Sequence, residues 1–356
     1  MKILHVDTQK GFRGGEQQLL WLVEGLSEIG VESVVACKKE EKLYERCLKK
    51  NISVLPLRGN QIVDVFKIIN DSQDFDIMHA HAAKSHTICA FAKIVNGKKL
   101  VYTRRVDYKP KNNAITKFKY RNTDKIVAIS NYVADVLKNS FKIKESVEVV
   151  YSATDTTLQY KIDTNRVSYI KSEFNGFPLI GTAAALSPQK NIPNLITAAG
   201  FVLKGYPKAK FIVAGEGKLK RQLSDEINKK GLANSFKLIG FQDDIENYIK
   251  ALDIFVLPSD FEGLGSALLS AMILKVPIVA TDAGGAKEVV INNKTGILVP
   301  KKNSEALAEG IIKLIEDKKL AASLAAEAYR FVEANFSTKR MVEKYFKIYK
   351  NLLDEY

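Results

Sequence analysis

The sequence predicts an α/β protein made of two parallel-sheet domains, each wrapped by helices. Three observations carry that expectation. Short β-branched runs alternate with longer amphipathic ones from the first residues onward, the same rhythm restarts after a poorly patterned stretch near residue 160, and 356 residues exceed what one compact domain ordinarily holds. In the first half the strand candidates are KILHVD, ESVVAC, DIMHAH, KLVYT, KIVAIS and VEVVYS, with GEQQLLWLVEGLSEIG as the first helix. In the second half they are PLIGTAAAL, KFIVAGEG, FKLIGF, DIFVLPS, VPIVAT and TGILVP, with a helix over about 191–204. The stretch TTLQYKIDTNRVSYIKSEFNG shows no clean period and reads as the linker region. Boundaries follow at 1–158 for an N-terminal domain, 159–335 for a C-terminal domain and 336–356 for a final helix. In that helix Met341, Tyr345, Tyr349 and Leu352 form an apolar stripe at steps of three and four, which reads as core.

Composition excludes several classes. At 46% hydrophobic and 26% charged residues the chain is neither disordered nor fibrous. The opening MKILHVDTQK is too short and polar for a signal peptide, and no apolar run approaches a membrane span. Cys37, Cys47 and Cys89 lack metal or redox spacing and read as reduced, buried groups, so the expected location is the cytoplasm. The formal charge of +14 is concentrated: from Lys98 to Lys125 ten basic residues stand against Asp107 and Asp124, a local excess of eight. Nucleic acid is the obvious partner for such a segment. It carries no recognised nucleic-acid motif and few interleaved aromatics, and an anionic membrane surface, worth about 1 kcal/mol per basic side chain, suits it as well. A merely solvated loop is the third reading.

In parallel sheets, ligands sit beyond the carboxyl ends of strands, where helix N-termini present unpaired amides. Four glycine-bearing segments fall there: RGGE with Gly14 and Gly15, AGEG with Gly215, Glu216 and Gly217, SDFEGLGSALLSAM, and DAGGAKE. Their convergence favours a phosphate-bearing nucleotide, although each alone could be a tight turn. Lys190 stands at a helix start, where a cation opposes the helix dipole unless an anion intervenes, so it reads as a phosphate ligand. Three of the four histidines lie in HAHAAKSH. His79 and His81, at strand spacing, are read here as facing opposite sides, which argues against a metal site and points His81 toward the ligand with His79 beneath. DFD, residues 74–76, imitates a metal motif but sits at the wrong end of its strand and reads as structural.

These residues, in this order, resemble the retaining glycosyltransferases of family 4, whose GT-B architecture places two Rossmann-like domains across a crevice. The likeness spans the chain from RGGE through DIMHAH, VAIS, GTAAALSPQKN and IVAGEG to TGILVP, and is most specific over PSDFEGLGSALLSAMILKVPIVATDAGGAKEVV. It implies transfer of a sugar from a nucleotide-sugar without metal or other cofactor, to a lipid-linked or lipopolysaccharide-type glycan at the cytosolic membrane face. It implies that Glu262 holds the sugar hydroxyls, that the amides of Gly263, Leu264, Gly265 and Ser266 hold sugar and phosphate, that Lys190 balances the diphosphate, that Gly14 and Gly15 close over the phosphate, and that His81 lines the reacting sugar. Gly215, Glu216 and Gly217 fall to the donor, and Lys84, Arg104 and Arg105 to the acceptor. The sequence departs from the family pattern twice. The usual Arg–Lys phosphate pair reads Ala185 and Lys190, and Ser270 replaces the second glutamate, which grips the ribose in relatives. Were the helix to run from Glu262, Ser270 would lie about two turns along it. The two departures open alternatives: a non-catalytic sugar-nucleotide or glycan-binding relative, or a sugar-nucleotide epimerase of similar fold.

Overall fold

The structure is a computed structural model describing residues 1–141 and 147–354. The chain divides into two compact units: Met1–Ala153 with Thr338–Tyr356, and Thr154–Ser337.

Unit 1 is a seven-stranded, all-parallel sheet in the order β3-β2-β1-β4-β5-β6-β7. Its strands are β1 (Lys2–Val6), β2 (Glu32–Lys38), β3 (Val54–Leu57), β4 (Ile77–Ala80), β5 (Lys99–Arg104), β6 (Lys125–Ala128) and β7 (Glu148–Val149). Helices α1 (Gly14–Glu28), α2 (Lys42–Lys49), α3 (Gln61–Asp71), α4 (Ala83–Asn96), α5 (Ala114–Arg121) and α6 (Asn131–Phe141) connect them. Strand order reverses after β3, so right-handed crossovers put α1 and α2 on one face of the sheet and α3, α4 and α5 on the other. β1 and β4 therefore meet at a topological switch point, where adjacent connections leave in opposite directions and open space beyond the strand ends.

Unit 2 repeats the plan with six parallel strands in the order β10-β9-β8-β11-β12-β13. They are β8 (Leu179–Ala183), β9 (Lys210–Ala214), β10 (Phe236–Gly240), β11 (Ile254–Leu257), β12 (Ile278–Thr281) and β13 (Ile297–Val299). Its helices are α7 (Thr164–Phe174), α8 (Ile192–Gly205), α9 (Lys220–Lys229), α10 (Ile245–Ala251), α11 (Ser266–Ile273), α12 (Ser304–Glu316) and α13 (Lys318–Asn335). Here β8 and β11 meet at the switch point. Helix starts are capped where the sequence supplies Asx residues: the Asn303 side chain accepts from Ala306 N at 2.9 Å and Asp317 from Leu320 N at 2.8 Å, satisfying amides that have no partner within the helix.

The unpatterned stretch expected to be a linker is instead part of unit 2. Its α7 is capped by Asp163, whose side chain accepts from Asn165 N and Arg166 N, and it buries Ile170 completely. Arg166 fixes it with a 2.8 Å bond from Nε to Asp244 and another from Nη2 to the Tyr248 hydroxyl. With one deeply buried residue the helix shows little apolar period, which is why the sequence hid it. Unit 2 accordingly begins at Thr154 and not at 159.

The final helix, α14 (Thr338–Asp354), belongs to unit 1. It lies on α1, and Met341, Tyr345, Tyr349 and Leu352 join Ile3, Leu22, Ile77 and Val101 in one buried cluster. Gly25 makes the approach of the two helices possible, because a Cβ there would collide with Val342 Cγ2. In an isolated helix Gly25→Ala would gain about 1 kcal/mol. In this chain it should instead cost about 1–3 kcal/mol by overpacking, read as a lower denaturation midpoint, and Val342→Ala in the same chain should recover most of the loss. A stabilising Gly25→Ala would contradict the contact.

Candidate active site

Unit 2 gathers one charged pair at its switch point. β8 ends at Ala183, and the chain turns through a short 3-10 helix, Pro188–Lys190, before α8. β11 ends at Leu257, and the loop Ser259–Gly265 leads into α11. Asp260 N donates to Gln189 O at 2.8 Å and Asn191 Nδ2 to Asp260 Oδ1 at 2.8 Å, so the two loops are joined backbone to backbone and side chain to side chain. The joint brings Lys190 Nζ to 2.6 Å from Glu262 Oε2, which also accepts from Ser259 Oγ at 3.2 Å. Glu262 is 8% exposed. A carboxylate at that depth needs a partner, and Lys190 with Ser259 supplies it.

Past Glu262 the chain reverses at Gly265, whose φ of +95° suits glycine and few other residues. Ser266 then opens α11, whose first amides point out of the helix with its partial positive charge. Ser270 lies four residues after Ser266 and shares its face. It does not lie on a helix with Glu262, since the helix starts only at Ser266. Leu264 is buried at 1%, and the first exposed residue after it is Ser266 at the start of α11.

The other glycine segments have a different first reason. A Cβ at Gly215 would overlap Ala184 O, one at Gly217 would overlap Leu186 O, and one at Gly285 would overlap Gly263 O. These glycines let neighbouring loops pass in contact along the carboxyl edge of the sheet, a requirement of the fold before any of a ligand. Glu216 is exposed and pairs with Lys220 at 2.8 Å.

In unit 1 the switch point holds a histidine network. His5 on β1 stands in register with His79 on β4, and His81 follows two residues later. Residues two apart on a strand share a face, so the expectation that His79 and His81 point to opposite sides was wrong: their rings are 3.9 Å apart. Hydrogen bonding fixes the tautomers. Arg105 Nη2 can only donate, at 3.3 Å, so His81 Nδ1 accepts. His81 Nε2 then carries the proton and donates to His5 Nδ1 at 3.1 Å, leaving the His5 proton on its buried Nε2. His79 has both ring nitrogens engaged, with the Tyr349 hydroxyl at 2.7 Å and Thr103 Oγ1 at 2.8 Å, and Thr103 continues to the Tyr345 hydroxyl at 2.8 Å. The ligand atoms of His5, His79 and His81 come within 4.8 Å of one another, close enough for a metal to be considered, but His79 has no nitrogen left to offer one while these bonds stand.

Around the network lie Asp7 and Glu16, both buried. Burial, with each other's charge and against the pull of Arg105, pushes the Asp7 carboxyl above the usual range, and burial raises Glu16. Glu16 Oε2 accepts from Arg13 N at 2.7 Å, closing the turn that carries Gly14 and Gly15 into α1, and Gly15 lies against the Arg105 side chain. Arg104 is a correction. It was expected beside an acceptor, yet it is 3% exposed and donates to the Tyr120 hydroxyl and to Tyr108 O. Strand alternation turns Arg104 to the face opposite Thr103. Lys84 lies exposed on the first turn of α4. Sequence reasoning missed His5, Asp7, Glu16 and the two tyrosine hydroxyls; the polar breaks in KILHVD were the available signal for the first two.

All four histidines are in unit 1, fully buried, and held below their ordinary pKa chiefly by loss of hydration. A depressed histidine stabilises the fold above its unfolded pKa and loses that contribution as pH falls. The raised Asp7 and Glu16 act with opposite sign, stabilising at low pH and less as pH rises through their folded range. From pH about 6.5 downward, each histidine should remove about 1.4 kcal/mol of stability per pH unit, partly offset by the two acids. Asp7→Asn removes one offset, so its stability should fall more steeply with acid in denaturant titrations; a pH-independent wild type would contradict the assignment.

Comparison with known proteins agrees on the kind of protein. The family described as glycosyl transferases group 1 matches residues 166–331, and that described as glycosyltransferase family 4 matches residues 12–158. An uncharacterized glycosyltransferase of Methanocaldococcus jannaschii is 26% identical over 94% of this chain and 93% of its own. The lipopolysaccharide core biosynthesis mannosyltransferase LpcC of Rhizobium leguminosarum bv. viciae is 25% identical over 72% of each chain. The solved structure of Anabaena HepE in complex with UDP-glucose has a TM-score of 0.89 at 23% identity, covering 99% of this chain and 100% of that one, which shows a shared fold. Two Rossmann-like parallel sheets of GT-B type, matched by family sequence over both, place this chain among the family 4 glycosyltransferases.

Proposed function

We propose that the chain is a retaining, metal-independent glycosyltransferase that moves a sugar from a nucleotide-sugar to a lipid-linked or lipopolysaccharide-type glycan at the cytosolic membrane face. The observation that carries the reading is the Lys190 to Glu262 pair at the β8/β11 switch point, beside the open N-terminus of α11. A diphosphate set there meets a cation and helix amides, and a sugar meets a carboxylate acceptor for its hydroxyls. The HepE structure holds UDP-glucose and LpcC is named for lipopolysaccharide core synthesis, which supports both halves of the proposal.

In the reaction the acceptor oxygen attacks the anomeric carbon on the face the diphosphate leaves. The bond from that carbon to the phosphate oxygen breaks, and the departing diphosphate takes the acceptor proton. Lys190 neutralises the charge that grows on the diphosphate, Glu262 orients the sugar, and the amides of Gly263 to Ser266 hold its phosphate side. His81, kept neutral and oriented by Arg105 and His5, which engage both of its ring nitrogens, would line the sugar without adding charge. Arg105, half-buried and engaged with His81, and the exposed Lys84 are the cations for the acceptor side.

The experiment is donor hydrolysis and transfer with a panel of UDP-, GDP- and ADP-sugars. One donor should turn over, and Lys190→Ala or Glu262→Ala should lower kcat about 100- to 1,000-fold, the size of losing one charge-stabilising group. Ala185 and Ser270 favour a second reading, a binding protein that lost its chemistry. That reading expects thermal stabilisation by a nucleotide-sugar with no turnover, and finding it would reject transfer. Ser270→Glu should shift preference among the nucleotides; unchanged preference would remove Ser270 from the ribose site.

A further inference from the structure

We propose that the outer face of α3, α4 and α5 is a docking surface for an anionic lipid bilayer. Seven large apolar side chains on these helices are open to solvent: Ile62 at 71%, Val63 at 37%, Phe66 at 63%, Phe91 at 43%, Ile94 at 60%, Val95 at 67% and Ile115 at 56%. They follow helical spacing on the side away from the sheet, Ile62 with Phe66 on α3 and Phe91 with Ile94 and Val95 on α4. The ridges join: α3 lies on α4, α4 lies on α5, and the Phe91 and Phe118 rings are 4.8 Å apart. Apolar side chains gathered on one side of a soluble-looking domain signal a partner.

The charge around the patch selects it. Of the basic segment, Arg104 and Lys119 are buried and Lys125 pairs with Glu148. Lys109, Lys111, Lys117 and Arg121 are exposed, on α5 or on the loop that enters it. Apolar side chains flanked by cations on the α5 side match an interface where acyl chains lie under anionic headgroups. A second copy of the chain fits less well, because it brings the same formal charge of +14 to the contact. Nucleic acid fits less well too, since isoleucine and valine offer no stacking surface to bases. The surface gives the membrane-borne acceptor a place, and in its purpose it rests on the transferase reading above, although its existence can be tested apart from it.

The test is cosedimentation of the full chain with phosphatidylcholine vesicles, with and without phosphatidylglycerol. Binding should be roughly tenfold stronger with the anionic lipid and should weaken as salt rises. Phe66→Glu with Ile94→Glu should abolish binding without lowering the melting temperature or donor hydrolysis in solution, and Lys117→Glu with Arg121→Glu should remove the preference for anionic lipid. Absence of binding to anionic vesicles, or binding unaffected by Phe66→Glu with Ile94→Glu, would overturn the proposal. So would a wild-type dimer in sedimentation velocity that this double variant splits, which would assign the face to a second copy. Vesicle binding by a chain that turns over no donor would keep the surface and reject the transferase; turnover without vesicle binding would do the reverse.

Discussion

The Lys190 to Glu262 ion pair is the interaction on which the candidate site depends. A carboxylate at 8% exposure without its lysine would be an uncompensated buried charge, and a lysine facing a helix start without an anion would oppose the dipole. Each residue resolves the other's difficulty. The pair does not arise from local sequence, because seventy-two positions separate the partners. It arises because β8 and β11 are neighbours at the point where the strand order reverses, and because Asp260, Gln189 and Asn191 tie the loops that follow them. The value of such a pair lies less in stability than in geometry: it holds a cation and a carboxylate ready at one edge, each able to exchange its partner for part of a ligand.

Unit 1 solves a different electrostatic problem at its own switch point. It buries three histidines, two carboxyl groups and the half-buried Arg105 together. Neutral imidazoles reconcile them, with Arg105 setting the direction of the chain from His81 to His5 and α14 closing the far side through Tyr349 and Tyr345. The last helix of the chain thus orders a polar network built by its first strand, and its tyrosines are more than apolar filling.

How much of this was legible in the sequence depends on range. The β-then-helix rhythm, read as alternating periods of two and near four, located twelve of the strand segments, while β3, VLPL, carries Pro56 within it, a residue that reads against a strand. Lys190, Glu262 and the turn after it were legible because each sits at a strand end, a position that the rhythm itself defines. The tertiary facts were not. Nothing in HAHAAKSH says that His5 lies opposite His79, since parallel register is set by crossover helices far away. Strand alternation, correctly applied, would have put His79 and His81 on one face and turned Arg104 away from Arg105. The glycines of AGEG and DAGGAKE carried a ligand-binding look that the fold accounts for first, through backbone contacts to Ala184, Leu186 and Gly263. The linker was mistaken because α7 buries one residue deeply and is held by Arg166, a polar tether that hydrophobic patterning does not register.

The most direct measurement of the central claim is a crystal structure of the chain with an intact nucleotide-sugar. The diphosphate should lie against Lys190 and the first amides of α11, with a sugar hydroxyl on Glu262 and the 2.6 Å ion pair opened to admit them. A nucleotide-sugar bound elsewhere, with Lys190 and Glu262 still joined, would contradict it.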